Sequence, residues 1–364
     1  MFTRFREAGH RLQARLVEAR CSNGKVPHNY GAGRGSIAAQ RIATERIDFW
    51  TTLHQHLARL SNRVNGETSK RLFRLLTRSE IISVWILSGT LIGCLRVSLG
   101  HVSLAAGVTV TAVITLTLLA GKCTLVLLSP SSRALSRIGA RYATGFGVLS
   151  TILFALTLGL RMRMAWGVAI AAAIIVTAAA LPSRSRIIYE PRDYRSEMAI
   201  LALICGSTVL WSWRAVVSYG HLLDSGVFLA WSDFFIHSAE VAQCAASGQI
   251  GNIFASGLPL PIYHYGSYMV PAILVSFAGV PALSAVTAFW TPLSFIILGC
   301  GAYSLGDTLG GRGGGIGALA AVLLVPDAAY YRLADPVFDF HWLMQIGPHG
   351  SFAFGMALLS VGAA

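Results

Sequence analysis

Six apolar stretches follow one another along this chain: Ile81–Leu99, Leu104–Leu128, Ala143–Leu160, Ala165–Leu181, Met198–Trp213 and Ala282–Leu305. Each is close to the run of about 20 mainly apolar residues that carries a helix across the hydrocarbon core of a bilayer. Gly315–Tyr331 and Phe352–Ala364 are weaker candidates, and the last runs into the C-terminus. Buried helices of a soluble protein are the bland alternative. Only 12% of the residues are charged, against about a quarter in soluble domains, and the mean hydropathy is +0.60. The expected fold class is therefore all-α: a polytopic transmembrane helix bundle of about 8 spans with an extracytoplasmic loop carrying interfacial helices.

A net charge of +13 invites a nucleic-acid reading, but fifteen of the 29 Lys and Arg lie within residues 1–79. The rest follow the loops. Arg133, Arg137 and Arg141 follow the second span; Arg184, Arg186, Arg192 and Arg195 follow the fourth. The opposite loops hold Arg96, then Arg161 and Arg163, then Arg214. Short loops rich in Lys and Arg stay in the cytoplasm. The expected localisation is thus the cell membrane, multi-pass, with the N-terminus cytoplasmic and residues 214 onward outside. Membrane lipids are expected partners and nucleic acid is not.

Four regions are expected. Residues 1–79 form a basic cytoplasmic segment, with a Gly-rich linker over Cys21–Ser36. Gly31, Gly33 and Gly35 lack a P-loop Lys and a preceding strand, so a flexible tail on anionic lipid is the better reading. No short apolar core of a cleavable signal precedes the first span, which reads as an uncleaved signal itself. Residues 80–213 form a five-span scaffold with tight turns and almost no ionisable groups inside the spans; Lys122 is the exception, near a cytoplasmic end where it can snorkel. Residues 214–281 form the outer loop, and residues 282–364 the further spans. The six cysteines show no CxxC pair, and four lie in or beside apolar spans, where Cys acts as a small hydrophobe.

The outer loop is where chemistry is expected. Ionisable groups at membrane depth are costly and so are functional candidates. Asp233, His237 and Glu240 stand at i, i+4 and i+7 of a helical pattern and share one face. Asp233 suits a general base, a divalent-metal ligand, or simply a helix cap. Glu240 reads as a solvated helix face, and Cys244 as a thiol that an impermeant reagent should reach unless the loop buries it. Tyr263, His264 and Tyr265 precede Tyr268–Val280, an apolar run of about 13 residues, short for a span and better read as interfacial or re-entrant. That choice makes Ala282–Leu305 run inward, turns the chain at Gly306–Gly314, and places Asp335, Asp339, His341 and His349 on the outer face. No spacing matches a known metal motif, so no cofactor is assigned; a divalent cation is admissible on residue type alone.

The run Trp231-Ser-Asp233-Phe-Phe-Ile-His237, then Tyr263-His264-Tyr265-Gly266, then Tyr331-Arg-Leu-Ala-Asp335-Pro336, resembles the two acidic loops of GT-C-type membrane glycosyltransferases. The resemblance covers about residues 200–350. It implies an enzyme that uses a polyprenyl-phosphate-linked sugar donor and works on the extracytoplasmic face. Asp233 would be the catalytic base of the first loop and Asp335 the acid of the second. His264 would contact the donor phosphate, and His237, Tyr263, Tyr265 and His349 would line the substrate site. Members open with one span before the acidic loop, whereas five precede it here. The chain also stops within an apolar run at Ala364, which reads as truncation.

A transporter or flippase-like protein, with Asp233, His237 and Asp335 as a relay, is the alternative. Such proteins place ionisable groups at mid-span and often repeat their halves. Here the acids sit at span ends and no repeat is visible. A non-catalytic membrane protein with a lipid-binding loop is the third reading.

Overall fold

The computed structural model describes residues 76–128, 137–180, 194–230, 233–248 and 265–323, together with Gly355. All of them lie within one compact unit, Arg71–Ala364. Among the described residues every regular element is helical. Five helices are long and apolar enough to cross a membrane, which is compatible with a multi-pass membrane protein. A sixth apolar helix, Met164–Ala180, is shorter at 17 residues.

Helix α1, Arg78–Leu99, begins at a capping box. The Thr77 amide donates to Glu80 Oε2 at 2.7 Å and the Glu80 amide donates to Thr77 Oγ1 at 3.3 Å, so two amides without intrahelical partners are satisfied by each other's residue. Gly100 ends the helix at φ 73°. Helix α2, Leu104–Leu128, carries Thr111, Thr115, Thr117 and Thr124, each donating its hydroxyl to the carbonyl four residues back. Polar side chains satisfied within their own helix suit an apolar solvent.

Helix α3, Ile138–Phe154, continues into a π-turn, Ala155–Gly159, and α4, Met164–Ala180, follows. Gly121 of α2 and Gly145 of α3 let these backbones touch. A methyl on Gly121 would overlap the Arg141 carbonyl, and one on Gly145 the Thr117 carbonyl.

Helix α5, Tyr194–Ser225, runs beside α1. After it come α6, Asp233–Ser247; a 3₁₀ turn, Tyr265–Tyr268; α7, Met269–Ala278; and α8, Ala282–Ala285, which widens into a π-turn, Val286–Trp290. Helix α9, Thr291–Leu323, is two antiparallel legs joined at Gly310 and Gly311, the latter at φ 64° and ψ −163°. Gly306 abuts Gly314, Gly315 abuts the Tyr303 ring, and Gly299 meets Leu323. The Gly306–Gly314 turn expected from the sequence is therefore a tight helical hairpin. Its first leg is deeply buried, with Phe295 and Ile296 in the core beside Trp290 of the preceding π-turn.

Side-chain contacts fix which helix ends lie together. Glu80 at the start of α1 pairs with Lys122 Nζ at 3.0 Å and with Arg141 near the start of α3. Arg137 bridges Glu197 at 2.7 Å and Asp307 at 2.5 Å. The starts of α1, α3 and α5, the end of α2 and the α9 hairpin thus share one end of the bundle. At the other end Ser98 and Ser284 oppose each other, Oγ to Oγ, at 3.0 Å. Gly220 rests on the Ser98 carbonyl, and Gly248 on the Met162 carbonyl.

Glu80, Arg141 and Glu197, which flank the expected spans, are buried. Lys122, partly exposed near the end of its helix, answers a carboxylate on the neighbouring helix.

Candidate functional site

The chain leaves α5 beside Ser98 and re-enters the bundle at Ser284, also beside Ser98. Residues 226–281 therefore start and finish at one end. Gly226, at φ 72°, ends α5, and Arg214 Nε donates to the Leu229 carbonyl at 2.6 Å. Phe228 folds onto Phe234 and Phe235, with ring centroids 6.3 and 4.7 Å away. These ties aim the chain into α6.

Asp233 is the first residue of α6 and is half-buried. The apolar face of the helix, Phe234, Val241, Cys244 and Ala245, turns inward and takes His237 and Glu240 with it. The expected shared face of Asp233, His237 and Glu240 therefore exists, but most of it points into protein. Glu240 is only 5% exposed, so its reading as a solvated face is corrected. It follows His237 by one turn on a face that packs against α7 and α8. Cys244 is also fully buried, and burial pushes its thiol up to about 12. It is therefore closed to an impermeant reagent, since the thiolate is the reactive form.

His237 is 2% exposed and sits in a three-ring cluster. Tyr268, at the end of the 3₁₀ turn, has its hydroxyl 2.7 Å from His237 Nδ1. Trp290 completes the triangle: the centroids are 5.5 Å apart for His237 and Tyr268, 5.6 Å for His237 and Trp290, and 5.5 Å for Tyr268 and Trp290. Trp290 closes a π-turn, a helical irregularity frequent at functional sites. Glu240 Oε2 approaches His237 Nδ1 to 3.7 Å. That oxygen is buried and accepts no hydrogen bond among the described residues.

Helix α7 carries this cluster inward. Its 10 residues span about 15 Å at 1.5 Å per residue, half a bilayer core. Met269 to Leu274 are all buried. Met269 Sδ receives the Thr157 hydroxyl at 3.1 Å and lies 3.6 Å from Cys244 Sγ. Tyr268–Val280 is thus tucked among α2, α3, α4 and α6, covered by protein instead of lying on a surface with its apolar face open. Gly279, at φ 66°, reverses the chain into α8.

Tyr268 and Trp290 are absent from the sequence-based candidates. Tyr268 stands three residues after Tyr265 and so shares its side of a 3₁₀ turn, a faint signal. Trp290 had none, because it reads as one more apolar residue of a span. Tyr265 opens the 3₁₀ turn. Tyr263, His264, Asp335 and His349 lie outside the described residues. Among the described residues no three of His, Cys, Asp and Glu converge as metal ligands.

A second feature faces sideways between α1 and α5. It is an apolar groove of about 440 Å³ lined by Gly89, Gly93, Val97, Cys205, Gly206 and Trp213 among others. Methyl groups at Gly89, Gly93 and Gly206 would meet nothing within 4 Å, so the glycines leave open space there.

No family model, curated protein or solved structure matches this chain. The functional reading therefore rests on the residues and their geometry.

Proposed function

We propose that the chain is a membrane glycosyltransferase of GT-C type. It transfers a sugar from a polyprenyl-phosphate donor to an acceptor on the extracytoplasmic face, with Asp233 as the base that takes the acceptor hydroxyl proton. One observation carries the reading: Asp233 opens a helix at the Arg-poor end of the bundle and is backed, one turn on, by a buried His–Tyr–Trp cluster. A carboxylate at a half-buried helix start is reachable by substrate, and the packed rings behind it hold the helix still. Proton transfer by a positioned side chain contributes about 10²- to 10⁴-fold to rate.

Orientation supports the same reading. Cations gather at the end that holds Arg137 and Arg141, and the positive-inside rule makes that end cytoplasmic. The 226–281 segment is then extracytoplasmic. Counted with α4 and both legs of α9, the bundle has about 8 spans if the C-terminal apolar run also crosses. The groove between α1 and α5 is apolar and open-sided, as a polyprenyl chain requires. Asp335, the acid of the second loop, and His264, the phosphate contact, belong to the same proposal.

The experiment is Asp233→Asn in the full chain in membranes, assayed for sugar transfer from a polyprenyl-phosphate donor. The expected result is transfer by the parent and loss of at least about 10²-fold in the variant. Unimpaired transfer by the variant removes Asp233 as base, and no transfer by the parent removes the enzyme.

A further inference from the structure

The turn between α3 and α4 carries two arginines at the end of a span. Helix α3 and its π-turn together cover Ile138–Gly159, 22 residues, or about 33 Å at 1.5 Å per residue. That length crosses a hydrocarbon core of about 30 Å. The chain emerges at Leu160, 68% exposed, and α4 then presents Trp166, 55% exposed. Arg161 and Arg163 stand between them, and both are exposed. Charge bracketed by exposed apolar side chains at a span end marks the depth of the lipid headgroups, where Trp is also enriched.

Several contacts pin this turn. The Leu160 amide donates to the Ala155 carbonyl at 2.9 Å, and the Met162 amide donates to the Leu156 carbonyl at 3.1 Å. Met164 is buried. Gly248 lies so close to the Met162 carbonyl that a methyl there would collide with it. Arg161 takes φ 54°, the one positive φ of a non-glycine among the described residues. Such backbone is unfavourable for a residue with a Cβ and persists where its surroundings over-determine it, commonly at functional sites. A glycine would adopt this φ without strain, yet the chain places a guanidinium there.

Cα atoms two residues apart are separated by at most about 7.6 Å, so both guanidiniums can reach a single group. The planar fork of Arg matches phosphate oxygens, and Arg is more weakly hydrated than Lys. The donor phosphate of the proposed reaction is not that group. Gly248 sets the turn against the far end of α6, and the 15 residues of that helix put Asp233 about 22 Å away along its axis.

We propose that Arg161 and Arg163 seat the phosphate of an anionic phospholipid, with its acyl chains lying against Leu160 and Trp166. The seat ties the α3–α4 turn, and through Gly248 the end of α6, to the membrane surface. It does not depend on the sugar-transfer reading.

The test is native mass spectrometry of the full chain, delipidated in detergent and titrated with phosphatidylglycerol or phosphatidylcholine of identical acyl chains. The wild type should hold phosphatidylglycerol at least about tenfold more tightly, the size expected when two Arg meet an anionic lipid. Arg161→Gly relieves the strained φ, so its unfolding midpoint should not fall, while the preference should drop about fivefold. Adding Arg163→Gln should abolish the preference. Arg96→Gln, an exposed arginine at the same end of the bundle, should leave it intact. A wild type without the preference overturns the seat, as does a preference unchanged in Arg161→Gly. An equal loss in Arg96→Gln would assign the preference to diffuse charge and overturn it too. Inorganic phosphate should not displace the lipid; displacement would assign the seat to a free anion and overturn the lipid.

Discussion

Ser98 and Ser284, 186 positions apart, face each other with their hydroxyl oxygens 3.0 Å apart in the buried interior. Ser98 is one residue from the end of α1, and Ser284 is the third residue of α8, just past the turn that follows α7. This one contact brings the chain back to where α5 had left it. The short apolar helix between them therefore does not carry the chain to the opposite end.

That contact yields a topology prediction. Cysteines placed at both positions, Ser98→Cys with Ser284→Cys, should cross-link on mild oxidation and neither should do so alone. Asp224→Cys and Gly313→Cys, both at exposed positions, should label oppositely. The first should react with an impermeant thiol reagent on intact cells, and the second only after permeabilisation. Labelling of both from outside would remove the inside–outside assignment.

Glu80 is fully buried and Arg141 is 1% exposed. Glu80→Gln would leave the guanidinium, and half-buried Lys122, without their carboxylate. Breaking a buried pair on one side costs about 3–5 kcal/mol. A lowered unfolding midpoint in detergent is the expected readout. Combining it with Arg141→Met should restore part of the loss, because the more deeply buried of the two cations that Glu80 answers is then gone.

Gly121 and Gly145 allow a backbone approach that no other residue permits. Ala at either should cost about 3 kcal/mol or more, since the overlap is with rigid carbonyls and not with flexible side chains. Gly89→Ala is the counter-case: its methyl meets open space, and a helix interior gains about 1 kcal/mol from Gly to Ala. Thermal unfolding of the three variants should therefore move in opposite directions.

Tyr268→Phe removes the hydroxyl 2.7 Å from His237 Nδ1 while keeping the ring. The expected cost is about 1 kcal/mol of stability, the net worth of one hydrogen bond. Trp290→Leu should cost about 3 kcal/mol or more through lost packing. A Tyr268→Phe variant as damaged as Trp290→Leu would mean that the hydroxyl, and not the rings, organises the cluster.

The helices that carry the bundle were legible because apolar length is a local property. Leu104–Leu128 coincides with α2, Ala282 begins α8, and the Gly-rich 306–314 stretch is the hairpin turn. Helix α5 was harder: its apolar run ends near Trp213, yet the helix continues to Ser225. Helical backbone does not stop where hydrophobicity stops, and no Gly or Pro stands between Trp213 and Gly220.

The site divides along the same line. Composition and periodicity by themselves determined an apolar-solvent protein, a helix opening at Asp233, and a common face for Asp233, His237 and Glu240. These depend only on residue type and a period of 3.6. Tertiary structure alone decided that this face is buried, that Tyr268 and Trp290 complete it, and that Glu80, Arg141, Arg137, Glu197 and Asp307 answer one another at the far end. The reason is distance along the chain. Tyr268 is 31 residues from His237, and Arg141 is 61 from Glu80. Pairings of that range are chosen by how helices pack, which no local pattern encodes.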